Sequence, residues 1–125
     1  MNDADLSQLG LHEASELIRS QDLSPVRYAQ ALLNRIARED GRLHAFIGVT
    51  EDIALDGALA AEKEIKAGRW RGPLHGVPYA LKDIIDYAGV RTTAQSALLA
   101  DHIAAEDAWV VKKLKSQGAI LLGKL

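Results

Sequence analysis

The stretch Gly72-Pro-Leu-His-Gly-Val-Pro-Tyr-Ala-Leu-Lys-Asp83 contains the clearest change of character in this 125-residue sequence. Its opening glycine and prolines are typical of a turn, because these residues supply backbone angles that others adopt only at a cost. The run that follows is largely apolar and ends abruptly at Lys82-Asp83. We predict a strand from Val77 to Asp83 with a sharply polar end.

A second apolar run, Ala119-Ile-Leu-Leu122, lies near the end of the chain and leads into Gly123-Lys-Leu125. An uninterrupted apolar run of this length is typical of a strand that is covered on both faces. The segment from Gly118 to Lys124 also has the spacing of a phosphate-binding loop. The position that needs Ser or Thr is Leu125, however, and no helix follows to supply a dipole, so we disfavour nucleotide binding.

Helical periodicity predicts two helices in the region from about residue 7 to residue 40, the second capped by Ser24 and Pro25. We predict a strand over 43–49, a helix between Thr50 and Gly68, and a helix that starts at Glu106 or Asp107. Helices therefore alternate with strands. This order predicts a single α/β domain over residues 1–125, in which helices pack on a mixed sheet.

About three strands and four helices would leave the edges of such a sheet open, and open edges favour association. We therefore expect the domain to be incomplete in this chain. The alternative is a compact fold in which one of these strands is an edge strand.

Composition narrows the function classes. The net charge of −2 offers no electrostatic basis for nucleic-acid binding, and we interpret Lys112, Lys113 and Lys115 as a solvated helix face. The absence of cysteine excludes a thiolate metal site and a cysteine nucleophile, and the histidines have no metal-ligand spacing. Neither a secretory signal nor a membrane-spanning run is visible, so we expect a cytoplasmic protein.

Lys82 is the residue in the opening stretch with the most chemical interest, and the residues alone leave two interpretations open. A lysine at a strand end is usually exposed, and periodicity favours that reading. If the side chain were drawn inward, burial would disfavour its charged form and suit it to act as a general base. Strand alternation sends the adjacent Asp83 to the opposite face, where it could anchor the strand end.

The ordered motifs along the chain resemble the amidase signature family. The segments that carry the resemblance are Gly72 to Pro78, Lys82-Asp83, Gly89-Val-Arg-Thr-Thr93 with Ser96, Asp107-Ala-Trp-Val-Val111 and Gly118 to Lys124. The N-terminal Ser24-Pro25 and Leu43-His-Ala-Phe46 also match, so that nearly the whole chain is covered. Gln95 and Tyr79 depart from the usual residues of the family, and we expect both to affect packing or substrate shape only.

The resemblance implies hydrolysis of carbon–nitrogen bonds other than peptide bonds, with a small-molecule amide as substrate. It also implies a Ser–cis-Ser–Lys triad in which Lys82 is the catalytic lysine, with no cofactor and no metal. The two serines of the family belong to a Gly/Ser-rich segment that this chain does not contain. Ser96 lies outside the triad, and we expect it to have a role in a loop.

Two further interpretations remain open. The resemblance extends to the A subunit of the tRNA-dependent amidotransferase, which acts with partner subunits. Alternatively, the chain is a catalytically inert truncated fragment that forms a homo-oligomer or complements a separate chain.

Overall fold

The computed structural model describes all 125 residues of the chain. Five α-helices, three strands and one 3₁₀-helix follow one another in an α/β arrangement, as predicted. Their order is α1 (Asp3–Leu6), α2 (Leu11–Arg19), α3 (Pro25–Leu43), β1 (Gly48–Val49), α4 (Glu51–Lys66), β2 (Pro78–Leu81), the 3₁₀-helix (Ala97–Leu99), α5 (Trp109–Ser116) and β3 (Ile120–Lys124).

The three strands form one mixed sheet in the order β1-β3-β2. β3 is the central strand, antiparallel to β1 and parallel to β2. Its residues Ile120, Leu121 and Leu122 are all buried, because helices cover both faces of the strand. The fully apolar run therefore belongs to a strand without a solvent face, which confirms the sequence-based interpretation.

Three hydrophobic clusters hold the helices to this sheet. The first joins the N-terminal helices to the end of α4 and the residue before β2, through Leu6, Ile18 and Val77 among others. The second packs α3 and the small-residue face of α4 against Ile120 and Leu122. The third places α5 against the opposite face of the sheet and includes Leu81, Val111 and Leu121.

The segment predicted as a strand over 43–49 is mostly not a strand. α3 continues to Leu43, and His44 then caps it in the left-handed conformation at φ 51°. The carboxylate of Asp40 accepts hydrogen bonds from the backbone N–H groups of Ala45 and Phe46, so these donors are not free for a sheet. β1 is therefore limited to Gly48–Val49, and the N–H groups of the flanking Ile47 and Thr50 donate to the carbonyls of Lys124 and Leu122 in β3.

The predicted start of the last helix was also wrong. α5 begins at Trp109, and Asp107 instead accepts a hydrogen bond from the backbone N–H of Ala88 and pairs with Lys115. Lys115 is therefore not simply part of a solvated lysine face, whereas Lys112 and Lys113 are exposed.

None of the helices is both long and apolar enough to cross a membrane.

Candidate active site

Lys82 is the first residue after β2, and its side chain is exposed, as periodicity predicts. The backbone on either side of it is bound to the end of the chain. The N–H of Leu125 donates to the carbonyl of Leu81 at 2.7 Å, and the N–H of Asp83 donates to the carbonyl of Leu125 at 2.9 Å. Because β2 and β3 are parallel, Lys82 lies at the carboxyl edge of the sheet, where α/β proteins commonly bind ligands.

The side chain of Asp83 points away from that of Lys82 and is buried, with 1% of its surface exposed. It faces Lys124, the last residue of β3, which is 2% exposed. The Lys124 Nζ lies 3.1 Å from the Asp83 Oδ1, within ion-pair distance although not aligned as a hydrogen bond. The ammonium also donates to the carbonyl of Arg91 at 3.2 Å and to the Thr92 hydroxyl at 3.1 Å.

The loop from Thr92 to Gln95 closes over the second carboxylate oxygen of Asp83. The hydroxyl and the backbone N–H of Thr93 both donate to Oδ2, at 2.5 and 3.1 Å. The carbonyl of Asp83 in turn accepts from the N–H of Ala94 at 2.8 Å. Ala94 and Gln95 adopt φ values of 48° and 55°, in the left-handed region that non-glycine residues rarely occupy. The loop therefore binds Asp83 in a backbone conformation that is unfavourable at Ala94 and Gln95.

The charge state of Asp83 follows from two opposing effects. Burial by itself raises the pKa of this carboxyl group, because it disfavours the ionised form. The hydrogen bonds from Thr93 and the contact with Lys124 outweigh burial and hold the pKa of Asp83 below its ordinary value. Asp83 is therefore ionised at neutral pH, and its charge is balanced by Lys124.

A cleft of about 190 Å³ opens beside this ion pair. Its polar walls are supplied by Thr50, Asp83, Arg91, Thr93 and Lys124, and Lys82 is not among the residues that line it. Sequence reasoning singled out Lys82 and Asp83 but missed Lys124 as their neighbour. The signal was a charged residue separated by a single glycine from an apolar run that is buried on both faces, a position where an unpaired lysine is costly.

Ser96 caps the short 3₁₀-helix, since its hydroxyl accepts from the N–H of Leu98 at 3.3 Å. The loop role predicted for this serine agrees with that contact.

Tyr79 lies in β2 with a hydroxyl group that is buried and makes no hydrogen bond. Burial, and then the nearby Tyr87 and Asp107, raise the pKa of this hydroxyl well above its ordinary value.

His75 lies near the opposite, amino end of the parallel strands and is fully buried. Its Nδ1 accepts from the backbone N–H of Arg71 at 3.1 Å, so the proton of the neutral ring is on Nε2, which lies 3.1 Å from the Glu64 carboxylate. Arg71 binds the same carboxylate with two nitrogen atoms, at 2.5 and 2.7 Å. His75 thus organises the turn that leads into β2, away from Lys82.

Comparison with known proteins identifies the family. A family model described as Amidase matches residues 27–125, which is most of the chain. The chain belongs to the amidase signature family. Among curated amidase signature relatives, the A subunit of the glutamyl-tRNA(Gln) amidotransferase of Geobacter sulfurreducens is 45% identical, over 97% of this chain and 25% of its own length. The corresponding protein of Moorella thermoacetica is 42% identical, with the same coverage.

Solved structures of amidase signature enzymes have the same fold. The native peptide amidase of Stenotrophomonas maltophilia superposes with a TM-score of 0.87 and 36% sequence identity, over 94% of this chain and 24% of the amidase. The chain thus spans about a quarter of the length of the relatives it matches. Both the family resemblance and the predicted fold class are confirmed.

Proposed function

We propose that Lys82 is the general base of an amide hydrolase whose substrate is a small carboxamide. The reaction consumes one water molecule and converts the amide to a carboxylic acid and ammonia or an amine. The observation that carries this proposal is the position of Lys82. It is exposed at the carboxyl edge of the sheet and lies in the Lys-Asp element of the family motif.

In the mechanism that we propose, a neutral Lys82 accepts a proton from a relay serine, which accepts one from the nucleophilic serine. The nucleophile attacks the amide carbonyl, and the leaving amine departs with a proton that returns through the same relay. Water then hydrolyses the acyl-enzyme ester. Both serines come from the Gly/Ser-rich segment of the family, which residues 1–125 do not contain.

Substitution of Lys82 tests the base assignment. In a polypeptide that continues this chain through the Gly/Ser-rich segment, Lys82→Ala should reduce amide hydrolysis by at least about 10³-fold, because the serine relay loses its proton acceptor. The measurement is ammonia release from simple carboxamides, and far-UV circular dichroism reports whether the fold is retained.

Lys63 provides a matched control, since it is also a lysine outside the core but lies on α4, in the second half of that helix. Lys63→Ala should leave the rate within about twofold of the unchanged protein, as expected for a surface position. Near-normal turnover by the Lys82→Ala variant would show that another group is the base.

A second candidate within the same chemistry is the ammonia-producing component of an amidotransferase. The curated relatives at 42% and 45% identity are both named as the A subunit of a glutamyl-tRNA(Gln) amidotransferase, which favours this branch. Glutamine should then be hydrolysed faster than unrelated carboxamides, and the rate should depend on added partner subunits. Hydrolysis of varied amides without any partner would favour the independent amidase.

The third candidate is that residues 1–125 alone are inert and associate through apolar surface. Several large apolar side chains are exposed, including Leu98 at 95%, Trp109 at 72% and Ile84 at 65%. Exposed apolar side chains favour association where they lie together in one patch. Sedimentation velocity of residues 1–125 should detect oligomers, whereas a monomer at all concentrations would contradict this candidate.

A further inference from the structure

The buried pair of Asp83 and Lys124 lies directly beside the proposed base. Asp83 is the next residue in the chain after Lys82, so their Cα atoms are about 3.8 Å apart. Lys124 closes the pair from the neighbouring strand at 3.1 Å. Buried charges of this kind are costly to desolvate, and replacing such a pair with apolar residues is often neutral or stabilising. Their presence at this position therefore calls for a reason other than stability.

The contacts of the pair restrain the backbone of Lys82 from several directions. Asp83 is bound through its N–H to Leu125, through its carbonyl to Ala94 and through its carboxylate to Thr93. Lys124 joins the same point to the loop at Arg91 and Thr92. The polar contacts of the pair thus fix the end of β2 to two segments, the end of β3 and the loop over residues 91–94, and Lys82 is the exposed residue at that end.

The pair also controls the charge beside Lys82. An ionised Asp83 without a partner would favour the ammonium form of a neighbouring lysine, which is the wrong form for a base. A Lys124 ammonium without a partner would instead favour the neutral form of Lys82. When both charges are present and in contact, their opposite effects on the protonation of Lys82 largely cancel.

We propose that Asp83 and Lys124 are positioning residues for Lys82, which fix its backbone at the end of β2 and cancel one another's charge beside it. This inference rests on the proposed function for its catalytic meaning. The effect of the Asp83–Lys124 pair on Lys82 can nevertheless be measured without any catalytic reaction.

The test is competitive acylation of Lys82 with acetic anhydride across a pH series, read by peptide mass spectrometry in the full-length protein. Asp83→Asn leaves the Lys124 ammonium unbalanced and should lower the pH at which Lys82 is half-reactive by about one unit. Lys124→Met leaves the Asp83 carboxylate unbalanced and should raise that pH by a similar amount. The double variant Asp83→Asn/Lys124→Met removes both charges and should return it to within about 0.3 units of the original value.

Glu64→Gln is the matched control, because it also removes one carboxylate from an ion pair. Glu64 lies with Arg71 and His75 near the amino end of the parallel strands, so this change should not alter the reactivity of Lys82. Shifts of opposite sign in the two single variants support the proposal. The absence of a shift in both, with the fold retained, would overturn it.

If either single variant does not fold, the double variant decides the matter, because it contains no lone buried charge. Loss of the contacts to Arg91 and Thr92 should then lower kcat by about 10- to 100-fold with little change in KM, as expected for a misplaced base. An unchanged kcat would overturn the positioning role. A shift in Lys82 reactivity together with full activity of Lys82→Ala would instead reject the proposed function and leave the effect of the pair standing.

Discussion

Gly118 shows how one residue determines whether the turn before β3 can form. Its φ is +76°, and a Cβ placed on it would lie 2.3 Å from the Cδ2 of His75. His75 is fully buried and held by Arg71 and Glu64, so it has little freedom to move away. Two separate constraints, backbone angle and space, therefore require glycine at this position.

Gly118→Ala should destabilise the protein by about 3 kcal/mol or more, the sum of the left-handed backbone penalty and the steric overlap with His75. Urea unfolding monitored by circular dichroism measures the change. Gly68 is the control, because its φ of +75° is nearly the same but a Cβ placed on it would meet no atom within 4 Å. Gly68→Ala should cost only about 1–2 kcal/mol, and equal losses at the two sites would contradict the steric explanation.

At the scale of secondary-structure elements, α5 is fixed by a polar contact outside its own residues. Asp107 precedes the helix and accepts from the N–H of Ala88 at 2.8 Å. The same carboxylate binds the Lys115 ammonium at 2.7 and 2.9 Å, and that ammonium lies 3.7 Å from the ring centre of Tyr87. One side chain thus joins the start of α5, its last turn and the segment after β2.

Asp107→Asn retains an oxygen that can accept from Ala88 but loses the charge opposite Lys115. We expect a loss of about 1 kcal/mol, at the upper end of the range for exposed pairs, because Lys115 is partly exposed. Asp107→Ala removes both contacts and should cost about 1–2 kcal/mol more, since a backbone donor loses its acceptor. Equal destabilisation in urea by the two variants would mean that the contact with Ala88 contributes nothing.

At the scale of the whole molecule, stability should fall as the pH is lowered from neutral. Burial lowers the pKa of His75 below its ordinary value, and the opposing attraction of Glu64 does not compensate. The unfolded chain therefore binds a proton at this residue more readily than the folded chain. The contribution of His75 is complete above a pH of about 6.5 and is lost as the pH falls through the folded pKa.

The urea midpoint should thus decrease between about pH 7 and pH 5, and His75→Gln should weaken this dependence because it removes the titrating group. Asp83 and Asp107, whose pKa values are lowered despite burial by the groups that bind them, add a second loss below a pH of about 4. That second loss should persist in the His75→Gln variant. A stability that rises on acidification from pH 7 would show that Glu64, and not burial, dominates at His75.

Local features of the fold were predictable from the sequence, because each depends on neighbours along the chain. Ser24 accepts from the N–H of Arg27 and Pro25 begins α3, as their residue types indicate. The apolar run of β3 was equally predictable, and strand alternation favoured an exposed Lys82 with Asp83 on the opposite face. The helix that continues to Leu43 was not predicted, because its end depends on the Asp40 contacts rather than on propensity.

The sequence by itself determined the family, the α/β order of elements and the position of Lys82 at a strand end. Only the tertiary structure decided that β3 lies between β1 and β2 and brings Lys124 to Asp83. Strand order and ion-pair partners depend on contacts between residues far apart in the chain, which periodicity and spacing do not encode. The physical reason is that two buried charges must be close in space to offset their desolvation, and folding alone places them together.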